Sequence, residues 1–386
     1  MSQIDPEQIN RVIVRGANWV GDSVMTVPAL RALRLLLPRA SITLATRPWN
    51  KGLFEDADFL DELVANEGTN VRSLLHQVAR WRRGRFDLAL IFPNSFEAAL
   101  VSAVARVPLR VGYDKEARGR LLTHPVPLPE WQNARHQVFY YLNLIAEVEL
   151  LVFGTEEVLK RAANISLPVR QARKQKAAEF LRQQGRRNDG PLIALCPGST
   201  NSRAKRWPTE RYAEVADSLI DLLGANVLLI GSSQELDVSL ETSRRMRNVP
   251  TILTGKTELE QSVAILSVVD LLVTNDTGPA HIAAAVGTPT LVIFGPTNPL
   301  TTRPFASTAE LVQRSPECAP CMLRDCPIDH RCMTAIGSME VFNKACAMLD
   351  RYKAQKLEVG APPPTANNGS HNELLAAESL TLTTDN

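Results

Sequence analysis

The chain has 386 residues, with 43 Lys and Arg against 41 Asp and Glu, 45% hydrophobic and 22% charged residues. One hydrophobic core rarely grows beyond about 250–300 residues, so two domains are expected, and the composition excludes a disordered, fibrous or coiled-coil protein. A formal net charge of +2 lacks the basic excess of a nucleic-acid binder, so no nucleic-acid partner is expected and an anionic ligand must be met by a local patch.

The first residues, MSQIDPEQINRVIVRGANW, carry no basic segment followed by an apolar stretch, so no secretory signal is read there. No window approaches about 18 uninterrupted apolar residues, as a membrane-spanning helix needs. The expected location is the cytoplasm, with reduced thiols.

A first strand is expected at 11–14, followed by the turn RGANWVGDS. Gly16 and Gly21 have the spacing that opens a phosphate-binding loop, but Asp22 stands where the gripping lysine belongs, and Asn18 replaces the second glycine of a dinucleotide fingerprint. Two readings of Asp22 stay open: a cap for a helix over 23–37, or a general base facing a cleft. Ala29, Leu33, Leu36 and Leu37 have helical spacing before Pro38. Strands at 41–46 and 87–92 follow. Between them, 71–86 holds Arg72, Arg80, Arg82, Arg83 and Arg85 without an acidic residue, and Arg106, Arg110, Lys115, Arg118 and Arg120 come later. Such a run is either a solvated face or a set of contacts to an anionic acceptor.

Residues 166–190, rich in Arg, Lys and Gln, read as a connector with a helix over 171–184. Strands are expected next at 192–195, 226–230, 270–274 and 290–294. VLLI at 227–230 and LVIF at 291–294 lack polar alternation, which suits parallel strands buried on both faces. After the strand at 192–195, PGSTNSRAKRWP offers Gly198, Ser199 and Thr200 beside Arg203, Lys205 and Arg206. Backbone N–H groups and cations in such a turn suit a diphosphate, with a solvated basic loop as the alternative. After the strand at 270–274, TNDTGPAH places Asp276, Thr277 and Gly278 at a helix N-terminus with His281 one turn in, a second anion cradle. Cys318, Cys321, Cys326 and Cys332 then form C-x2-C-x4-C-x5-C with His330 nearby. The favoured reading is reduced thiols in a compact loop and no metal, with zinc as the alternative.

The expected fold class is therefore α/β: two Rossmann-like domains, residues 1–170 and 171–357, with an interdomain cleft at the carboxyl ends of both sets of strands. The tail 358–386 reads as disordered.

Taken together and in order, GANWVGDSVMTVPALRALR, DLALIFPNSFEAAL, LCPGSTNSRAKRWP and VTNDTGPAHIAAAVGTPTLVIFGPTNP resemble glycosyltransferase family 9. The resemblance implies a GT-B architecture without a cofactor. The first domain would take the lipopolysaccharide inner core on Kdo-lipid A, and the second would hold ADP-L-glycero-β-D-manno-heptose for inverting transfer. The family's Gly-Asp falls on Gly21 and Asp22, which makes Asp22 the catalytic base. Its phosphate-contacting lysine falls on Lys205, next to Ser199 and Thr200. The Asp-Thr-Gly-x-x-His segment falls on Asp276, Thr277, Gly278 and His281 around the donor phosphates and sugar, and Glu235 falls near the ribose. Asn18, Trp19, Arg118 and Arg120 are expected at the acceptor. A lipid-linked acceptor also implies transient contact with the cytoplasmic face of the inner membrane. Family members with other acceptors, and a nucleotide-sugar epimerase of the same fold, stay open.

Overall fold

Uninterrupted apolar runs become the central strands, because in a parallel sheet covered on both faces neither side of a strand meets water. A computed structural model describes residues 4–359 apart from 67, 69 and 188. The first half runs β1 (Arg11–Arg15), α1 (Val20–Met25), α2 (Val27–Leu36), β2 (Ser41–Thr46), β3 (Glu62–Ala65), α3 (Val71–Gly84), β4 (Leu88–Ile91), α4 (Phe96–Val104), β5 (Leu109–Tyr113), β6 (His124–Val126) and α5 (Gln137–Phe153). The second runs α6 (Gln171–Gln183), β7 (Leu192–Cys196), α7 (Thr209–Leu223), β8 (Asn226–Leu229), α8 (Leu236–Arg245), β9 (Thr251–Ile252), α9 (Leu259–Leu266), β10 (Leu271–Asn275), α10 (Gly278–Ala285), β11 (Thr290–Phe294), α11 (Pro299–Thr302), β12 (Ala309–Gln313), α12 (Arg331–Thr334) and α13 (Ser338–Val359).

Two six-stranded sheets result, ordered β3-β2-β1-β4-β5-β6 and β9-β8-β7-β10-β11-β12. The second repeats the first, with every neighbouring pair parallel. In each, the strand order reverses beside the first strand, at β1/β4 and at β7/β10, which is where open α/β sheets bind ligands. All seven expected strands are present. Five more were not anticipated: β3, β6, β9 and β12 are the sheet edges, short and partly exposed, and the interior β5 is interrupted by the half-buried Arg110. Instead of one helix running up to Pro38, there are two. Pro28 has no N–H to donate back to Val24 and separates α1 from α2.

The two halves are tightly joined. A single apolar cluster combines Val12, Leu30 and Ile145 of the first half with Leu192, Ala194 and Ile282 of the second. On α6, Arg173 donates to the buried Asp56 carboxylate (2.7 Å) and to the Glu260 carbonyl (2.6 Å), bridging the halves. The 3-10 turn Pro48–Leu53 packs on α9, where a Cβ on Gly52 would lie 2.5 Å from the Glu260 nitrogen. Because backbone gives way less readily than a side chain, Gly52→Ala is expected to cost about 1–3 kcal/mol and lower Tm in a thermal melt. An unchanged Tm would show that this junction yields.

Among the described residues no helix is long and apolar enough to cross a membrane. The tail read as disordered lies outside the described residues, except for 358 and 359, which continue α13.

Candidate functional site

The turn after β1 brings Asp22 to the first turn of α1, where Trp19 is the N-cap residue and makes no capping hydrogen bond. Asp22 does not cap this helix: its carboxylate has no hydrogen-bond partner among the described residues, although burial pushes its pKa up to about 6 against the pull of the Lys205 ammonium. Tyr141 on α5 lies close by, and burial together with the Asp22 charge holds its hydroxyl protonated. A half-buried carboxylate without a hydrogen-bond partner among the described residues, its pKa raised to about 6, is suited to taking a proton.

Asp22 stands where the two halves meet, because α1 packs on α10 through two glycines. A Cβ on Gly21 would lie 3.1 Å from His281 Cδ2, and one on Gly278 would lie 3.1 Å from Val20 Cβ. Thus the N-termini of two helices, one from each half, converge on one place. Burial pushes His281 down to about 4, with Asp276 opposing and Lys205 assisting, so its ring is neutral, and its buried Nδ1 has no hydrogen-bond partner among the described residues.

Around this point the second half assembles its polar groups. Lys205 Nζ donates to the Asp276 carboxylate (2.7 Å) and carbonyl (3.2 Å), and Thr297 Oγ1 donates to the same carboxylate oxygen (2.7 Å). Thr277 precedes α10 without a side-chain cap and turns its hydroxyl to the Asn275 carbonyl; Pro279 has no N–H and the Ala280 N–H donates to the Thr277 carbonyl (3.1 Å), which leaves the Gly278 N–H at this helix start to an anion. Ser199 is buried and its carbonyl accepts from Arg206, while Thr200 is exposed with its hydroxyl 3.3 Å from Ser232 Oγ. Glu235 closes a capping box onto the Ser232 N–H and hydroxyl (2.7 and 2.8 Å). A Cβ on Gly198 would collide with that carboxyl at 2.6 Å, so a glycine is needed at the end of β7.

The acceptor candidates divide. The Asn18 side-chain oxygen accepts from Arg15 (3.3 Å) and Arg47 (3.0 Å), and its carbonyl accepts from the Trp49 indole. Trp19 is 57% exposed and Arg120 is exposed. Arg118 differs from its expected place on a binding surface: it is fully buried, and its fork donates to the Tyr113 and Pro93 carbonyls and the Asn94 side chain, so it shapes the loops after β4 and β5. The arginines at 72, 80, 82, 83 and 85 all lie exposed on or just after α3, as a solvated face would.

Several site residues were not singled out from sequence. Asn275, fully buried, donates to the Pro197 and Gly198 carbonyls and accepts from the Trp207 N–H and the Tyr212 hydroxyl, tying the two cradles together. Thr297 completes the Asp276 pair. Arg15, at the carboxyl end of β1, is buried with its pKa lowered to about 10 by burial and Arg47, against the pull of Glu97, whose buried Oε1 has no hydrogen-bond partner among the described residues. Each lies in or beside a quoted motif, but nothing in the spacing shows which members turn inward. The four clustered cysteines are free thiols, and among the described residues no group of three or more His, Cys, Asp or Glu is arranged to hold a metal ion.

Residues 73–331 match the model of glycosyltransferase family 9 (heptosyltransferase). Lipopolysaccharide heptosyltransferase 2 of Escherichia coli K12 is 30% identical over 324 residues, 78% of this chain and 88% of that one. Lipooligosaccharide heptosyltransferase 2 of Haemophilus influenzae Rd is 28% identical over 317 residues, with the same coverage. Among solved structures, E. coli ADP-heptose lps heptosyltransferase II superposes with a TM-score of 0.78 at 27% identity, covering 89% of this chain and 99% of its own.

Proposed function

The chain belongs to glycosyltransferase family 9, the heptosyltransferases, and from that premise we propose that it is a type II enzyme of lipopolysaccharide core synthesis. It transfers L-glycero-D-manno-heptose from ADP-L-glycero-β-D-manno-heptose to the heptose of heptosyl-Kdo2-lipid A. The names of its relatives support the donor and acceptor classes. The observation that carries the chemistry is the placement of Asp22: a carboxylate from the first half, free of hydrogen bonds among the described residues, beside the Lys205–Asp276 cradle of the second.

In a single inverting displacement, the acceptor hydroxyl attacks the anomeric carbon while ADP departs from the opposite face. Asp22 takes the hydroxyl proton. Lys205 and the Gly278 N–H that opens α10 meet the charge growing on the leaving diphosphate, a stabilisation that is strong in a site closed to water. Glu235 and Thr200 flank the adenosine end. Asn18, Trp19 and Arg120 stand on the acceptor side, where Trp19 and Trp49, both exposed at strand ends, and the nearby Arg47 suit reversible contact with anionic headgroups at the cytoplasmic face of the inner membrane.

Because the base must be ionised, kcat/KM is expected to be low below pH 6, to rise with one-proton dependence through about 6 and to level off above it. A rate independent of pH between 5 and 7 would remove Asp22 from the proton transfer. The assignment as a whole is tested by ADP release on mixing ADP-heptose with heptosyl-Kdo2-lipid A. Turnover only with an acceptor lacking the first heptose would reassign the enzyme within the family, and ADP release without any acceptor would argue for a hydrolase or epimerase.

A further inference from the structure

The loop between β12 and α12 carries Cys318, Cys321 and Cys326, and Cys332 follows on α12. It lies against the turn that bears Lys205. The Ala204 N–H donates to the Arg324 carbonyl (2.9 Å), His330 Nε2 donates to the Ala204 carbonyl (2.6 Å), and the Ser202 hydroxyl lies 3.2 Å from the Arg324 carbonyl. Both backbone polar groups of the residue before Lys205 are therefore held by one loop. Two residues after Lys205, the buried Trp207 receives the Asn275 side-chain oxygen on its N–H (3.1 Å) and donates its indole N–H to the Ile336 carbonyl (3.1 Å). Lys205 thus sits between two pinned neighbours.

The loop is anchored at its far end. Cys332, Met333 and Ile336 are buried in the apolar cluster of the second sheet together with Trp207. Burial and the neighbouring Cys318, Cys321 and Cys326 push the Cys332 thiol up to about 11, so it packs as a neutral group. At the near end His330 starts α12 with φ 58°, a left-handed conformation that is strained for a non-glycine residue and persists where the surroundings fix it. Its carbonyl accepts from the Met333 (2.9 Å) and Thr334 (3.0 Å) N–H groups while its ring reaches Ala204. The exposed Arg203–Asp325 pair (2.6 Å) adds little beside these bonds.

We propose that His330 is a positioning residue for the donor: its Nε2–H bond to the Ala204 carbonyl fixes where the Lys205 ammonium stands, and loop 317–330 is the strut that carries this constraint from the core of the second sheet. This rests on the reading that Lys205 meets a nucleoside diphosphate. It gives the cysteine-bearing segment a mechanical part in binding, with Cys332 as its buried foot.

The test is calorimetric titration of the full chain with ADP, comparing wild type with His330→Ala, His330→Phe and His330→Gln, together with donor KM and kcat for each. The bond is made within the chain, so about fivefold in ADP affinity is the most its loss removes, reached when its whole worth goes into holding Lys205 in place. The Ala and Phe variants are expected to bind ADP about fivefold more weakly, with donor KM rising and kcat falling by a similar factor, because the same ammonium meets the donor and the leaving charge. Gln, whose amide can donate in place of Nε2, is expected to recover most of the loss. If the Ala variant fails to fold, the Phe and Gln pair decides. Wild-type ADP affinity in a folded Ala or Phe variant overturns the proposal, as does a Gln variant no better than Phe. Failure of the wild type to bind ADP would sink the donor reading, and this proposal with it.

Discussion

Asp22→Asn is expected to lose about 10²–10⁴-fold in kcat, the usual worth of a positioned general base, while donor KM and ADP affinity stay near wild type. The amide has the shape of the carboxylate but does not accept the hydroxyl proton. Structural side effects should be small, because the Asp22 carboxylate makes no hydrogen bond among the described residues that the substitution would break. A second readout follows from the same burial. The folded-state pKa is raised from 3.8 to about 6, so holding the carboxylate ionised costs stability. That cost is fully present above about pH 6 and vanishes below about pH 4, where the group is protonated folded or unfolded. Asp22→Asn should therefore raise Tm at pH 8 and leave it unchanged at pH 3.5. More than a tenth of wild-type kcat in this variant would show that another group takes the proton.

For Lys205→Ala the loss falls on the donor. Removing an ammonium that meets a diphosphate forfeits a charge-assisted hydrogen bond worth about 1.5–3 kcal/mol, roughly 10–100-fold in affinity, and slows transfer further because the leaving charge loses its cation. The same substitution strands Asp276, whose side chain is 4% exposed and would keep only Thr297. Breaking one side of a buried pair is costly, about 2–5 kcal/mol, and this should lie toward the low end because Lys205 itself is 25% exposed. The double variant Lys205→Ala/Asp276→Asn separates the two effects: it should regain much of the lost stability, read by thermal melting, and none of the ADP affinity, read by calorimetry. Recovery of both would place Lys205 in a structural role.

The sequence was most informative where one physical signal dominated. Unalternated runs such as VLLI and LVIF mark burial on both faces and located β8 and β11, while short β-branched or apolar runs followed by a turn located β1, β2, β4, β7 and β10. Edge strands such as β9, two residues long, carry no such signal because one side has no strand neighbour. At the site, small residues and hydroxyls after a strand pointed to the cradles around Ser199 and Thr277, since free N–H groups at a helix start bind anions whatever the side chains do. What sequence spacing does not show is which polar side chains turn inward. Arg118, expected at the acceptor, lies fully buried beneath the loop that follows β4, whereas Asn275, not singled out within TNDTG, joins the two cradles. The reciprocal packing of Gly21 on His281 and of Gly278 on Val20 depends on how the two halves meet, which no local pattern encodes.

The stereochemistry of one turnover tests the account most directly. With ADP-L-glycero-β-D-manno-heptose as donor and heptosyl-Kdo2-lipid A as acceptor, the anomeric signal of the newly attached heptose can be read by NMR. Direct displacement assisted by Asp22 predicts an α-linked heptose and no product from Asp22→Asn on the same timescale; a β-linked heptose, or free heptose in place of a glycoside, would contradict it.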